Sequence, residues 1–366
     1  MSIRPAHTIA LLAVTIVTLA STAPALLLAQ AQSGEQWVLP RTPEGHPDIQ
    51  GDWTNATITP IQRPSGLGPV LTAEQVAAIE GRRLEFIEEG YADSDPDRGA
   101  PPVGGIFLGD VLFDAASGGT GGYNYFWIDA GDHVAVFNGE QRSSLVTSPE
   151  NGRIPALTPA AQRRIGEAFV RSRQLGEFDN PESRPLGERC LMSFGFNGGP
   201  PMLPNYFYNN NYTIVQTADY VMIMTEMVHD TRIIRLGTPD PLPAHIRPWL
   251  GDSWGRWQGD TLVVETTNIH PEQNLAGYPP AAFKPSENIK VTERFTRADE
   301  HTINYEFTVD DPSMLSGPFS GELPFKALDG LVYEYACHEG NYALANVLMG
   351  ARAQEREGVS NQPDTR

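Results

Sequence analysis

Beyond residue 206 the chain alternates apolar and polar positions with a period of two, the pattern of strands with one buried face. The alternation runs over Tyr212–Thr217, Tyr220–His229, Arg232–Leu236, Ser253–Gln258, Thr261–Ile269, Ile289–Thr296 and Thr302–Val309, with a last strand expected over Leu331–Cys337. Turn residues separate them at Ala218-Asp219, Gly259-Asp260 and Ala298-Asp299-Glu300. Successive hairpins without intervening helices predict an antiparallel meander. So many strands expose two edges unless the sheet closes, so a barrel or strongly curved sheet, lipocalin-like, is expected.

The first half has a different rhythm. Residues 37–69 are loop-rich. Thr72 then reads as a helix cap with Gln75 as its reciprocal partner, Val76, Ile79, Leu84 and Ile87 mark an apolar side, and Gly90 ends the helix. A second helix opens at Thr158-Pro159 and runs to about Leu175. A third is expected from about Asn341 to Arg356, with Leu344, Val347, Leu348 and Ala351 on one side. The fold expected is mainly β with a few helices. A single domain spans 32–366: a loop- and helix-rich wrap over 32–205, the β core over 206–340, and the C-terminal helix over 341–356.

Residues 1–31 read as a signal peptide. A short region with Arg4 and His7 precedes an uncharged apolar run, and Ala29-Gln30-Ala31 fits a small-x-small cleavage site. A retained anchor is the competing reading. The expected location is periplasmic or secreted. Asp and Glu number 45 against 26 Lys and Arg, a net charge of -19. Such a surface repels phosphate backbones and anionic lipid, so neither nucleic acid nor, after cleavage, a membrane is an expected partner. Cys190 and Cys337 are the only cysteines, and in an oxidising compartment such a pair forms a disulfide; two free buried thiols are the alternative. Neither sits in a zinc-ligand spacing.

Several strings occur together: Gly45-His-Pro-Asp-Ile-Gln-Gly-Asp-Trp53, Thr147-Ser-Pro-Glu-Asn-Gly-Arg-Ile-Pro155, Gly251-Asp-Ser-Trp-Gly-Arg-Trp-Gln-Gly-Asp-Thr-Leu-Val-Val-Glu-Thr-Thr267 and Glu334-Tyr-Ala-Cys-His-Glu-Gly-Asn-Tyr342. Through them the chain resembles a broad group of exported, mostly uncharacterised bacterial proteins. The resemblance implies export and a shared fold, and it carries no reaction.

Strand alternation nominates the ionisable groups. One face of Tyr220–His229 carries Tyr220, Met222, Met224, Glu226 and Val228; one face of Ile289–Thr296 carries Ile289, Val291, Glu293 and Phe295. A carboxylate on an apolar inward face is desolvated, and its pKa rises toward the range useful for proton transfer. The bland alternative is a buried ion pair with an arginine such as Arg232 or Arg294. Glu226-Met-Val-His229-Asp230-Thr-Arg232 sets an acid, an imidazole and a guanidinium at a strand end, with Asp230 orienting His229 as general base; the alternative is an ordinary turn. His338 and Glu339 follow Cys337 and are further catalytic candidates. Tyr123, Tyr125 and Trp127, with Tyr206 and Tyr208, lie in Gly- or Pro-flanked aromatic runs and, with Arg232, are candidates for substrate contact; ordinary core aromatics are the alternative. No nucleophile elbow or phosphate loop is present. The function expected is a cofactor-free lyase, isomerase or cyclase for a small hydrophobic or aromatic molecule, with a metal held by His229, His338 and carboxylates brought together by folding as an open alternative. A lipocalin-like carrier of an apolar ligand and an envelope structural protein are the alternatives.

Overall fold

The computed structural model describes residues 37–91, 129, 131–174, 176–193, 198–203, 209–273 and 284–358. In chain order these form β1 (Gly51–Thr54), α1 (Ala73–Tyr91), β2 (Val136–Phe137), β3 (Glu140–Gln141), β4 (Val146–Ser148), α2 (Pro159–Gln174), β5 (Asn211–Gln216), β6 (Tyr220–Thr225), β7 (Thr231–Leu236), β8 (Asp252–Gln258), β9 (Thr261–Thr267), β10 (Lys290–Asp299), β11 (Thr302–Asp310), β12 (Phe319–Ala327) and α3 (Ala343–Arg356). The predicted signal peptide and the aromatic runs around Tyr123, Tyr125, Trp127, Tyr206 and Tyr208 lie outside the described residues.

The fold is a closed barrel. Its strands run β1-β5-β6-β7-β8-β9-β10-β11-β12, and β12 pairs back onto β1; β4 adds alongside β12. The seam rests on one short strand, where Trp53 stands opposite Tyr212 of β5 on one side and Ala327 of β12 on the other. The stretch expected to be a wrap therefore supplies the strand that closes the barrel, because Trp53 has more apolar surface to bury than a loop can hide.

The barrel interior is filled with rings. Tyr212 stacks on Phe325 with centroids 5.2 Å apart, Tyr305 sits 5.0 Å from Phe295 and 5.2 Å from Phe325, and Phe307 meets Phe319 edge-on at 6.1 Å. All of these are almost fully buried. Barrels of about eight strands have room for side chains and little else, and aromatic pairs add about 0.5–1.5 kcal/mol each beyond the area they bury. On β10 the inward residues are Val291, Glu293 and Phe295, as the alternation predicts.

The three helices form where expected. Thr72 N–H donates to Gln75 Oε1 at 2.9 Å and Gln75 N–H to Thr72 Oγ1 at 3.2 Å, a complete capping box for α1. Thr158 Oγ1 caps α2 by accepting from Ala161 N–H at 3.1 Å. Ala351 of α3 is buried, and Leu344, Val347 and Leu348 are half-buried.

Four features depart from expectation. Residues Leu331–Cys337 form no strand; the disulfide between Cys337 and Cys190 and the packing of Tyr335 on Met227 and Val228 hold this stretch instead of a ladder. The strand in its place is β12, in which Gly321 and Pro324 read as breakers. Pro324 lies between the two places where β12 has a second neighbour, Ser320–Gly321 against β4 and Lys326–Ala327 against β1, so no ladder partner on that side misses its N–H. The strand expected over Tyr220–His229 ends at Thr225, and its inward face is Val221, Ile223 and Thr225, the opposite parity. Both faces of that stretch are apolar, so alternation could not orient it; pairing with Tyr212 and Ile214 decides. Finally, β7 and β8 run parallel, so the barrel is not a pure meander. Gly255 permits this: a Cβ there would lie 2.8 Å from Leu236 Cδ2 and 2.9 Å from Ile234 Cγ2.

Candidate functional site

The parallel pair needs a connection that carries the chain back, and residues 237–251 supply it. Pro239, Pro241, Pro243 and Pro248 keep it irregular. It is fixed at its end: Asp252 binds the Arg235 guanidinium and accepts from Leu242 N–H at 2.7 Å, and Asn268 Nδ2 donates to Leu242 O at 3.0 Å. Between this connection, β7, and the segment at Leu191-Met192 lies a cleft of about 470 Å³, lined also by Tyr220, Asp230, Trp249 and Leu250. Its size and mixed apolar and charged walls suit a small molecule.

Asp230 enters the cleft from an unusual turn. Thr225 N–H donates to Asp230 O at 2.7 Å, closing a loop of Glu226, Met227, Val228 and His229 between β6 and β7. Val228 and His229 both take the left-handed conformation, with φ of 58° and 51°. For a β-branched residue this is a true outlier, and the left-handed region costs roughly 1–2 kcal/mol per residue. Burial of Met227 and Val228 against Tyr335 and Cys337 offsets it. Such strain is concentrated at sites where a fold places a particular side chain.

That side chain is the Asp230 carboxyl. Burial pushes it up to about 6; the Ser193 N–H, donating to Oδ2 at 3.3 Å, and the neighbouring His229 pull the other way. Gly198 allows the close approach on its other flank, since a Cβ there would lie 3.2 Å from Asp230 Cβ. A carboxyl that titrates near 6 exchanges protons readily around neutral pH.

The other nominated residues fall into three groups. Glu293 faces the barrel interior as expected, and there it is clamped by Arg232, Nη1 to Oε2 at 2.7 Å and Nη2 to Oε1 at 3.0 Å, while Tyr305 Oη donates to Oε1 at 2.8 Å. Tyr305 Oη in turn accepts from Met202 N–H at 3.0 Å. This is the buried ion pair named as the alternative above. Arg232 thus has its guanidinium committed inward, although the residue also lines the cleft. Glu226 is buried by the turn, accepting from Asn211 Nδ2 at 2.6 Å, and does not line the cleft. His229 is exposed with Nδ1 3.3 Å from Tyr335 O, so Asp230 does not orient it by a hydrogen bond. His338 and Glu339 are exposed on the corner beyond the disulfide, away from the cleft lining.

No family model, curated protein or solved structure matches this chain. The site therefore has to be read from its own chemistry. Among the described residues no group of three or more His, Cys, Asp or Glu side chains is placed to hold a metal ion. Sequence reasoning missed Trp249, Arg235 and Asp252. The available signal was the Pro-punctuated run after β7, which is too long for a hairpin and too irregular for a strand.

Proposed function

We propose that the protein is an exported acid–base enzyme of the lyase, isomerase or cyclase type, and that Asp230 is its proton-transfer group. The observation that carries the reading is Asp230 itself: a half-buried carboxyl in the wall of a 470 Å³ cleft, with its ionisation moved to about 6. Near neutral pH it is largely ionised, so it acts as the base, yet it accepts a proton at little cost. The apolar part of its wall, with Leu191, Met192, Leu242, Trp249 and Leu250, suits a small hydrophobic or aromatic substrate. The ring-filled barrel disfavours the alternative of a ligand carried inside it. Export is supported by the leader-like N-terminus and is compatible with the disulfide.

Small-molecule profiles of a strain lacking the gene, complemented with wild type or with Asp230→Asn, test this. A compound that accumulates in the deletion, disappears with wild type and persists with Asp230→Asn supports the proposal. Its turnover by purified protein should then rise with pH through about 6. Full complementation by Asp230→Asn rejects Asp230 as the base.

A further inference from the structure

The charges around the cleft narrow what its ligand is. Two arginines of β7 line it, and each is already committed. Arg232 is spent on Glu293 inside the barrel; Arg235 is spent on Asp252 and lies over the Trp254 ring, 4.2 Å from its centroid. Asp252 is balanced by that same pairing. Asp230 is different. Its carboxyl accepts the Ser193 N–H, and among the described residues no Lys or Arg bonds it. His229, on the same corner, turns outward toward Tyr335 O. His270 stands behind Trp249, ring centroids 3.8 Å apart, and steadies the indole as part of the cleft wall.

When Asp230 ionises, the described lining of the cleft therefore carries one negative charge that no described Lys or Arg pairs with, beside aromatic surface. An anionic ligand is repelled there. A neutral one leaves a half-buried carboxylate unpaired, which is costly. An organic ammonium satisfies both features, by ion pairing and by the attraction of a cation for ring faces. The overall charge of -19 also draws cations toward the protein.

We propose that the cleft binds a small apolar amine in its protonated form, the ammonium on Asp230 and the hydrocarbon body against Trp249. This rests on reading Asp230 as the proton-transfer group and names what it deprotonates. An ammonium N–H bond breaks, an O–H bond forms on the Asp230 carboxylate, and the nitrogen keeps the electron pair, leaving a neutral amine free to react.

Calorimetric titration of the full chain with phenethylammonium, phenethyl alcohol and hydrocinnamate separates the cases by charge at nearly constant shape. The cation is expected to bind at least tenfold tighter than the alcohol, with hydrocinnamate weakest. Its affinity should rise about tenfold between pH 5 and 7.5 as Asp230 ionises near 6. Asp230→Asn, shown folded by circular dichroism, should abolish both effects. Should that variant not fold, the charge series and the pH dependence on wild type decide alone. Equal affinity for cation and alcohol, or a pH-independent cation affinity, overturns the amine proposal. If, in addition, the compound that accumulates in the deletion strain is uncharged and its turnover requires Asp230, the amine proposal fails while the acid–base site stands.

Discussion

Asp230 should cost the fold stability at neutral pH, and removing its charge should return it. Burial raises the carboxyl from the ordinary 3.8 to about 6, so the folded protein holds this proton more tightly than the unfolded chain does. The sign follows: folding favours the neutral acid, so the stability linked to this group is complete below about pH 4 and is lost as pH rises through about 6. The gap is roughly two pH units, and at about 1.36 kcal/mol per unit the ionised carboxylate costs up to about 3 kcal/mol at pH 7.5. Because the group is only partly buried, about 1.5–3 kcal/mol is the realistic range. Asp230→Asn keeps the shape and the acceptor for Ser193 N–H and removes the charge.

Urea unfolding of the oxidised protein from pH 4 to 8 measures the effect, and the difference between variant and wild type isolates this one carboxyl from the many other acids. The variant should gain little at pH 4, progressively more up to about 6, and a constant 1.5–3 kcal/mol above it. A difference that is flat across the range, or that favours wild type at pH 8, shows that Asp230 is not desolvated and removes the basis for its proposed role. A gain of this form is what a site that gives up stability for chemistry should show.

The buried clamp behaves oppositely. Arg232→Met leaves Glu293 charged and unpaired in the barrel and should cost about 3–5 kcal/mol in urea unfolding, most of it recovered when Glu293→Leu is added. Cys337→Ser opens a bridge spanning 147 residues and should cost roughly 2–5 kcal/mol, with the largest rise in amide exchange around Met227–His229, which packs on that corner. Gly251→Ala should cost about 2–4 kcal/mol and lower the melting temperature: its φ is 76°, and a Cβ would lie 2.6 Å from Thr266 Cγ2 and 2.8 Å from Ile269 Cγ1. His229→Gly should gain up to about 1 kcal/mol in urea unfolding by relieving one left-handed residue, and should raise the pH at which Asp230 titrates, because the imidazole no longer pulls it down.

Most of the barrel was readable because its strands obey local rules. The β8–β9 and β10–β11 hairpins follow from clean alternation and from the turn signals at Gly259-Asp260 and Ala298-Asp299-Glu300, although β10 runs on to Asp299 and turns at Glu300-His301. Glu293 was placed on the right face because every second residue around it is apolar. What failed was non-local. β1 is too short to show a period, and only Trp53 hints that it is buried. β12 contains Gly321 and Pro324, tolerable only because of which neighbours stand beside it. Tyr220–Met224 is apolar on both faces, so its parity was fixed by β5. The ion pair of Glu293 with Arg232 joins residues 61 apart, and spacing alone could offer it only as one of two arginines.

The same segment explains why a site lies here at all. Arg232 and Ile234 point inward from β7 and belong to the core. Had β6 and β7 met in a tight two-residue turn, the residue preceding Thr231 would be held in the ladder, with its side chain set by strand parity. The four-residue loop with two left-handed residues frees Asp230 from that constraint. Its backbone carbonyl closes the hairpin on Thr225 N–H, while its side chain turns to Ser193 and the cleft. One step later the parallel pairing of β7 with β8 demands the long Pro-rich return that roofs the same space. The carboxyl and the cavity thus arise from two irregularities flanking a single six-residue strand, β7. Restoring regularity at either one, by shortening the 226–229 loop or by replacing 237–251 with a compact linker, should leave the ring-packed barrel folded and remove the cleft.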